Sequence, residues 1–377
     1  MPLERVIEQQ RARRIIESMV RENRLPHALL FWGSAGIGKS VAAMELARWL
    51  NCEQHPDGPC GTCESCVKFR TLEHPHFSYQ LPLPASALVN AEAGELTGAA
   101  AEQLAEIFKE KGKDPYRSAE YPGSQFILIG QIRSLLRWAN IRSFNDKHRL
   151  ALIDHADRLR EEAGNALLKL LEEPPPRFIL VLTAETPEDI LPTLRSRCHS
   201  IEFVRLSTVT IEHELRSRGF EETEELRRIV NLSGGNLSRA LKYAEDPQQA
   251  AQLHDFAINV VRHSLTRSPI ELNKIAEAWS RKDHAEQSLI LEIVAAWLRD
   301  AAMLQQLGEA GEQRVIHSDR LDLLKKFVAN CPRADFISAA NAVEQARNSL
   351  ESNLLPPLVI ALMARKLYRA VYRRKPN

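Results

Sequence analysis

Residues Gly33-Ser34-Ala35-Gly36-Ile37-Gly38-Lys39-Ser40 satisfy the GxxxxGK[ST] phosphate-loop pattern in full. Glycines let backbone N–H groups turn inward around a phosphate, and a helix that follows presents its positive end to the same anion. Lys39 is of the type that neutralises β and γ oxygens, and the Ser40 hydroxyl is of the type that meets Mg2+. The competing reading is a glycine-rich turn without a ligand. Flanking sequence argues against it: the apolar run ALLFW at 28–32 precedes the loop, and VAAMELARWL follows with helical spacing at Val41, Met44, Leu46, Ala47 and Leu50.

A second phosphate-site element is LALIDHADRL, which ends an apolar run on Asp154. A carboxylate there is placed to hold the water shell of Mg2+. Hydrolysing enzymes of this class mostly put a glutamate next, as general base for water; here the next residue is His155. A histidine can accept a proton near neutrality. Losing the expected carboxylate commonly costs roughly 10²–10⁴ in rate. Nucleotide binding is therefore expected, and efficient turnover is not. Thr183 ends the run FILVLT, where its hydroxyl either reaches a γ-phosphate or is simply that of a good strand residue. Arg195 and Arg197 follow a proline turn, as solvated arginines or as fingers directed at phosphate, and Arg239 in GGNLSRAL is a further candidate nucleotide contact.

Cysteines supply a separate chemistry. Four of the six form Cys52-x7-Cys60-x2-Cys63-x2-Cys66, while Cys198 and Cys331 stand alone. Four thiolates at such spacing, set by turns at Pro59 and Gly61, fit a closed tetrahedral Zn2+ site with no position left for water. The alternatives are free thiols, or three sulfur ligands plus His55.

The elements that must hold these residues follow from periodicity. Leu150–Asp154 and Phe178–Thr183 are short aliphatic runs ended by polar turns, as parallel strands buried on both faces should be. EEAGNALLKLLEE between them is a helix stopped by Pro174-Pro175-Pro176. Strands alternating with helices predict an α/β nucleotide-binding domain with a parallel sheet over 1–205, carrying the cysteine module at 52–66 and an insertion at 82–124. The centre of that insertion, AAAEQLAEIFKEKG, reads as a surface helix of no legible purpose. Beyond 206 the pattern is helical. A small lid domain is expected over 206–247 and an all-helical domain over 248–377, where Ile290, Ile293, Val294, Trp297, Leu298 and Ala301 follow i, i+3, i+4, i+7 spacing.

Bulk composition excludes other classes. With 377 residues, 44% hydrophobic content and a net charge of +1, the chain has no global field drawing it to DNA or anionic lipid. No apolar run approaches the roughly 20 residues of a membrane span, and the N-terminus lacks a signal-peptide core, so a cytoplasmic protein is expected. Arg133, Arg137 and Arg142 in QIRSLLRWANIR either track DNA phosphates or form a solvated face.

Taken in order, LPHALLFWGSAGIGKS, CGTCESC, ALIDHADRL, NALLKLLEEPPPRFILVLTAE, LPTLRSRC and GGNLSRAL resemble the bacterial DNA polymerase III clamp-loader subunits of the gamma/tau/delta prime group, within the AAA+ ATPases. The likeness spans about residues 1–245, and the order of motifs is more specific than any one of them. It implies an AAA+ P-loop domain, a helical lid and a helical collar, with ATP, Mg2+ and Zn2+ as cofactors. ATP is implied at Gly33, Gly36, Gly38, Lys39, Ser40, Asp154, Thr183 and Arg239, and Zn2+ at Cys52, Cys60, Cys63 and Cys66. Arg197 in the SRC triplet would act in trans on the ATP of an adjacent motor subunit. Implied partners are gamma/tau-like motor and delta-like subunits in a hetero-pentameric ring, the sliding clamp, and primer–template DNA through the complex. DHADRL departs from the DE-x-H pattern of the motor members, which favours a stationary subunit; the alternative is a gamma/tau-like motor that hydrolyses ATP itself.

Overall fold

The computed structural model describes residues 2–54, 57–90, 92–123, 126–141, 147–266, 268–282, 284–312, 314–351 and 354–372. His55, Arg142 and the last basic residues therefore lie outside the described residues. The chain separates into two compact units. One comprises Met1–Ile211 with Gly235–Leu241, and the other Glu212–Gly234 with Lys242–Asn377.

The first unit is built on a five-stranded, wholly parallel sheet. Across it the strands run Phe77–Gln80, Arg149–Ile153, Phe178–Ala184, Ala28–Trp32 and His199–Glu202. The three central strands are aliphatic because helices cover both faces: Leu29, Leu30, Leu150, Leu152, Leu180 and Leu182 are fully buried. Both edge strands escaped the sequence reading. FSYQ and HSIE have too few apolar residues to read as buried runs, since an edge strand needs to bury only part of its surface.

The α/β architecture is the one expected, and its elements sit close to their expected limits. The helix before the proline run spans Glu161–Glu172, and the phosphate-loop helix spans Lys39–Leu50. Gln9, 2% exposed, pins the loop from behind: its amide donates to Ile37 O and Val204 O and accepts from Val204 N–H.

Within the insertion, a short hairpin pairs Leu88–Asn90 with Glu95–Leu96. Thr97 then caps the helix Gly98–Lys113, its hydroxyl accepting from Ala100 N–H. Most of that helix is on the surface, as expected. Its last turn is not: Lys111 and Gly112 are buried. The helix end drives into the first unit because Gly112 has no Cβ and can approach the backbone of Arg70; a Cβ there would lie 1.7 Å from Arg70 O.

The second unit is helical among its described residues. Its main helices are Pro247–Thr266, Pro269–Ser280, His284–Leu307, Phe336–Glu351 and Pro356–Tyr372. Ile290, Ile293, Val294, Trp297, Leu298 and Ala301 all enter its core, with Trp279, Phe336 and Met363. Residues 212–234 group with this unit. A finer division at 205 and 247 remains a proposal.

Gly112 generates a first prediction. On an open helix face, Gly112→Ala would stabilise by about 1 kcal/mol. Here overpacking against Arg70 O opposes that gain with roughly 1–3 kcal/mol. Gly112→Ala should therefore lower the urea midpoint, whereas Gly98→Ala, with open space at the same helix's start, should not.

Candidate functional site

Register alone brings the phosphate-site residues together. Ala28–Trp32 lies beside Phe178–Ala184, and Arg149–Ile153 flanks the latter with Ile153 opposite Leu182. The loop, Asp154 and Thr183 consequently emerge at one end of the sheet. Gly36, Gly38, Lys39, Ser40, Asp154, His155 and Thr183 line one cavity of about 100 Å³. Gly33 sits at the strand exit, its N–H bonded to Ala184 O at 3.2 Å. Gly38 has a φ of 104°, and a Cβ there would meet the Tyr116 hydroxyl at 2.7 Å, so glycine is required on both counts.

Lys39 Nζ donates to Gly33 O and Ser34 O, both at 2.6 Å. Burial lowers its pKa, against the attraction of Asp154, Glu185 and Asp157. Asp154 is enclosed. Its Oδ1 accepts from the Thr183 hydroxyl at 2.5 Å and its Oδ2 from the Tyr79 hydroxyl at 2.5 Å. Burial pushes its pKa up, but His155, Lys111 and the two hydroxyl donors outweigh that and hold it below the ordinary value. Thr183 Oγ1 also accepts the His155 N–H at 3.0 Å, fixing the bend where His155 takes a left-handed φ of 56°.

Three residues in or beside the cavity that shape it, Tyr79, Lys111 and Tyr116, carried no sequence signal. Tyr79, on the edge strand, places its phenol on Asp154; burial and Asp154 raise its pKa, and a hydrogen bond from Ser40 opposes the rise. Lys111 and Tyr116 come from the insertion that had no legible purpose. Lys111 Nζ donates to Arg117 O at 2.7 Å, and burial lowers its pKa to about 8 against Asp154, Asp114 and Glu120. The Tyr116 hydroxyl accepts the Ile7 N–H at 2.8 Å. Only the fold could place a tyrosine from position 79 and a lysine from position 111 against residue 154.

The cavity fits phosphate better than a hydrated divalent cation. Mg2+ demands near-octahedral oxygen coordination and keeps several waters. Between Ser40 and Asp154 the structure instead holds the Tyr79 phenol, which is hydrogen-bonded to both side chains. As arranged, these residues do not fit the ion.

Other candidates are placed as follows. Arg239 lies near the loop, its N–H donating to Asn236 Oδ1 at 2.8 Å, but Asn236 and Ser238 line the cavity rather than Arg239. Arg197 is outside the cavity lining and 39% exposed; it pairs with Glu172 at 2.9 Å. Arg195 donates to Pro187 O at 3.4 Å. Arg137 donates to Ala93 O at 2.6 Å, so it is tethered to the insertion.

Cys52, Cys60, Cys63 and Cys66 bring their sulfurs within 4.8 Å of one another, and this group could hold a metal ion. Backbone N–H groups point at the sulfurs: Cys63 and Thr62 donate to Cys60 Sγ at 3.3 and 3.4 Å, and Cys66 donates to Cys63 Sγ at 3.4 Å. Those donors lower the Cys60 thiol to about 5, the thiolate a metal requires. His74 is otherwise engaged, bonded to Ser65 Oγ at 3.0 Å and stacked on Phe69.

Comparison with known proteins adds an independent line. A family model described as DNA polymerase III, delta subunit, matches residues 8–207. The DNA polymerase III subunit delta' of Bacillus subtilis (strain 168) is 24% identical over 353 residues, covering 92% of each chain. The gamma/tau subunit of Mycobacterium tuberculosis (strain ATCC 25618 / H37Rv) is 25% identical over 91% of this chain; this chain spans only 57% of that protein. A gamma subunit-related protein of Thermotoga maritima superposes with a TM-score of 0.37 at 12% identity, over 94% of this chain and 99% of that one.

Tyr116 supports a second prediction. Removing its hydroxyl leaves the part-buried Ile7 N–H without its acceptor, which costs about 1–3 kcal/mol. Tyr116→Phe should lower unfolding free energy in urea by that order while preserving the far-ultraviolet dichroism.

Proposed function

The chain belongs to the DNA polymerase III delta-subunit family, and on that premise we propose that it is a delta prime-type, stationary subunit of the bacterial clamp loader. In this reading it binds ATP at Lys39, Ser40 and the loop glycines but hydrolyses it poorly. It lends Arg197 to the ATP of a neighbouring gamma/tau-like motor subunit. With a delta-like subunit in a hetero-pentameric ring, it helps place the sliding clamp on primer–template DNA in the cytoplasm. Among the described residues no helix is long and apolar enough to cross a membrane.

One observation carries the stationary assignment. A complete phosphate loop stands beside an Asp154-His155 step in which the second residue has no carboxylate, while Arg197 is outside this chain's own cavity. An arginine in its own site would act in cis; an exposed one, held at the surface by Glu172 and the Thr193 carbonyl, is available to a partner. Assembly has support in the last helix: Leu355, just before it, is 72% exposed, and Leu358 and Leu362 within it are exposed too. Such a stripe is suited to burial against another subunit. The gamma/tau-like motor remains the second reading, since a gamma/tau relative matches over most of this chain.

The cysteine cluster is proposed to bind Zn2+ as a structural ion. Four sulfur ligands close the coordination sphere, so the ion would supply folding energy rather than chemistry.

Three measurements test these proposals. A trans arginine finger contributes about 10³–10⁵ in rate, so Arg197→Ala should sharply reduce ATP turnover by the assembled loader without changing this subunit's melting temperature. The isolated chain should show little ATPase; robust turnover abolished by Lys39→Ala would establish the motor reading instead. Purified protein should carry one Zn2+ per chain by atomic absorption, and Cys63→Ser should lose the ion and lower the melting temperature. Metal-free wild type of unchanged stability would dispose of the zinc proposal.

A further inference from the structure

Lys111 is a buried ammonium, 5% exposed, that lines the phosphate cavity. An ammonium has three N–H donors. One is used by Arg117 O at 2.7 Å, and the structure gives the other two no protein acceptor among the described residues. A buried cation is costly unless compensated by charge and hydrogen bonds. Asp154 supplies nearby opposite charge, but among the described residues no hydrogen bond or ion pair joins it to Lys111. The two remaining donors therefore lack an acceptor that an anion in the cavity would provide.

The helix end that delivers Lys111 is held firmly. Gly112 packs against the Arg70 backbone, and Phe108 stacks on Tyr79 with ring centroids 5.3 Å apart. Tyr79 in turn stands between Asp154 and Ser40, where the metal of a phosphate-loop site would lie. The positive charge that Lys111 brings to the cavity beside this phenol is thus covalently held. Two other carboxylates line the cavity: Glu120, which is exposed and bonded to the Ser118 hydroxyl, and Glu185.

We propose that Lys111 takes the place of the divalent cation in this pocket, which accordingly takes a phosphate-bearing ligand without Mg2+. The proposal rests on the nucleotide-binding reading above and makes it more specific. Its free donors meet phosphate oxygens opposite Lys39, and Asp154 orients the lysine rather than a metal-water shell. A cavity of about 100 Å³ is smaller than ordinary ligand pockets of roughly 300–1,000 Å³. A whole nucleotide therefore enters only as the segment around Pro115–Glu120 draws back, which releases Lys111 from Arg117 O while the helix end that carries it stays held by Gly112 and Phe108.

Calorimetric titration of the full-length chain with ATP, in EDTA and in Mg2+, tests this. Wild type should bind with Kd values that agree within about twofold. Lys111→Met should weaken binding in EDTA by roughly tenfold or more, and Mg2+ should recover part of that loss in this variant alone. Lys111→Arg, which keeps the charge, should remain independent of Mg2+. Wild-type binding that requires Mg2+ overturns the cation replacement while the nucleotide-binding reading stands. An unchanged affinity of Lys111→Met in EDTA overturns it too. Absence of binding with and without Mg2+ overturns both readings. If Lys111→Met does not fold, the wild-type comparison still decides.

Discussion

A carboxylate that is half-buried at the wall of a cavity draws its hydrogen bonds and counter-charge largely from the protein, and the first unit supplies both at Asp154. Tyr79 and Thr183 satisfy its oxygens from the strands on either side of its own. Lys111 and Lys39 bring opposite charge from the insertion and the loop helix. Removing any one partner would leave this half-buried charge with less compensation, a larger loss than that of a fully exposed pair. The charge thereby ties three adjacent strands, the phosphate loop and the insertion into one arrangement.

The same logic recurs behind the loop helix. Glu45, 3% exposed, pairs with Arg48 at 3.1 Å and with Arg5 at 3.6 Å. Arg48 also acts on Cys66 through a hydrogen bond, and Arg70 donates to Gly61 O at 3.0 Å. The cysteine module is therefore fastened to the back of the helix whose front faces the phosphate cavity. Gly112 fastens the insertion to the same module through the Arg70 backbone. A segment with few apolar residues of its own is held by polar bonds and close backbone contact.

Two features that first look contradictory are reconciled by this geometry. The phosphate loop is complete, yet the position after Asp154 lacks a base and the seat between Ser40 and Asp154 is filled by a phenol. Retaining the loop while filling the metal side suits a pocket that holds an anion rather than one that turns it over. Hydrolysis asks for a positioned water and a base as well as phosphate contacts. Binding asks only for the cradle.

The sequence by itself determined the loop, the helix after it, the central strands and the cysteine spacing. Each of these is a local pattern: glycines at fixed offsets, aliphatic runs buried on both faces, four sulfurs on tight turns. It also determined the missing carboxylate, because residue 155 is read directly beside Asp154. The edge strands at Phe77–Gln80 and His199–Glu202 were not legible, since they bury too little to leave an apolar signature. What the insertion does was decided by tertiary structure alone. FKEKGK looks like an exposed helix end, and nothing local distinguishes its Lys111 from the solvated lysines around it. Only when Gly112 meets Arg70 and the sheet sets Tyr79 beside Asp154 does that ammonium become a buried charge at the centre of the site. Chemistry carried by neighbours in sequence can be read from the chain; chemistry between residues 79, 111 and 154 exists only after the strands have paired.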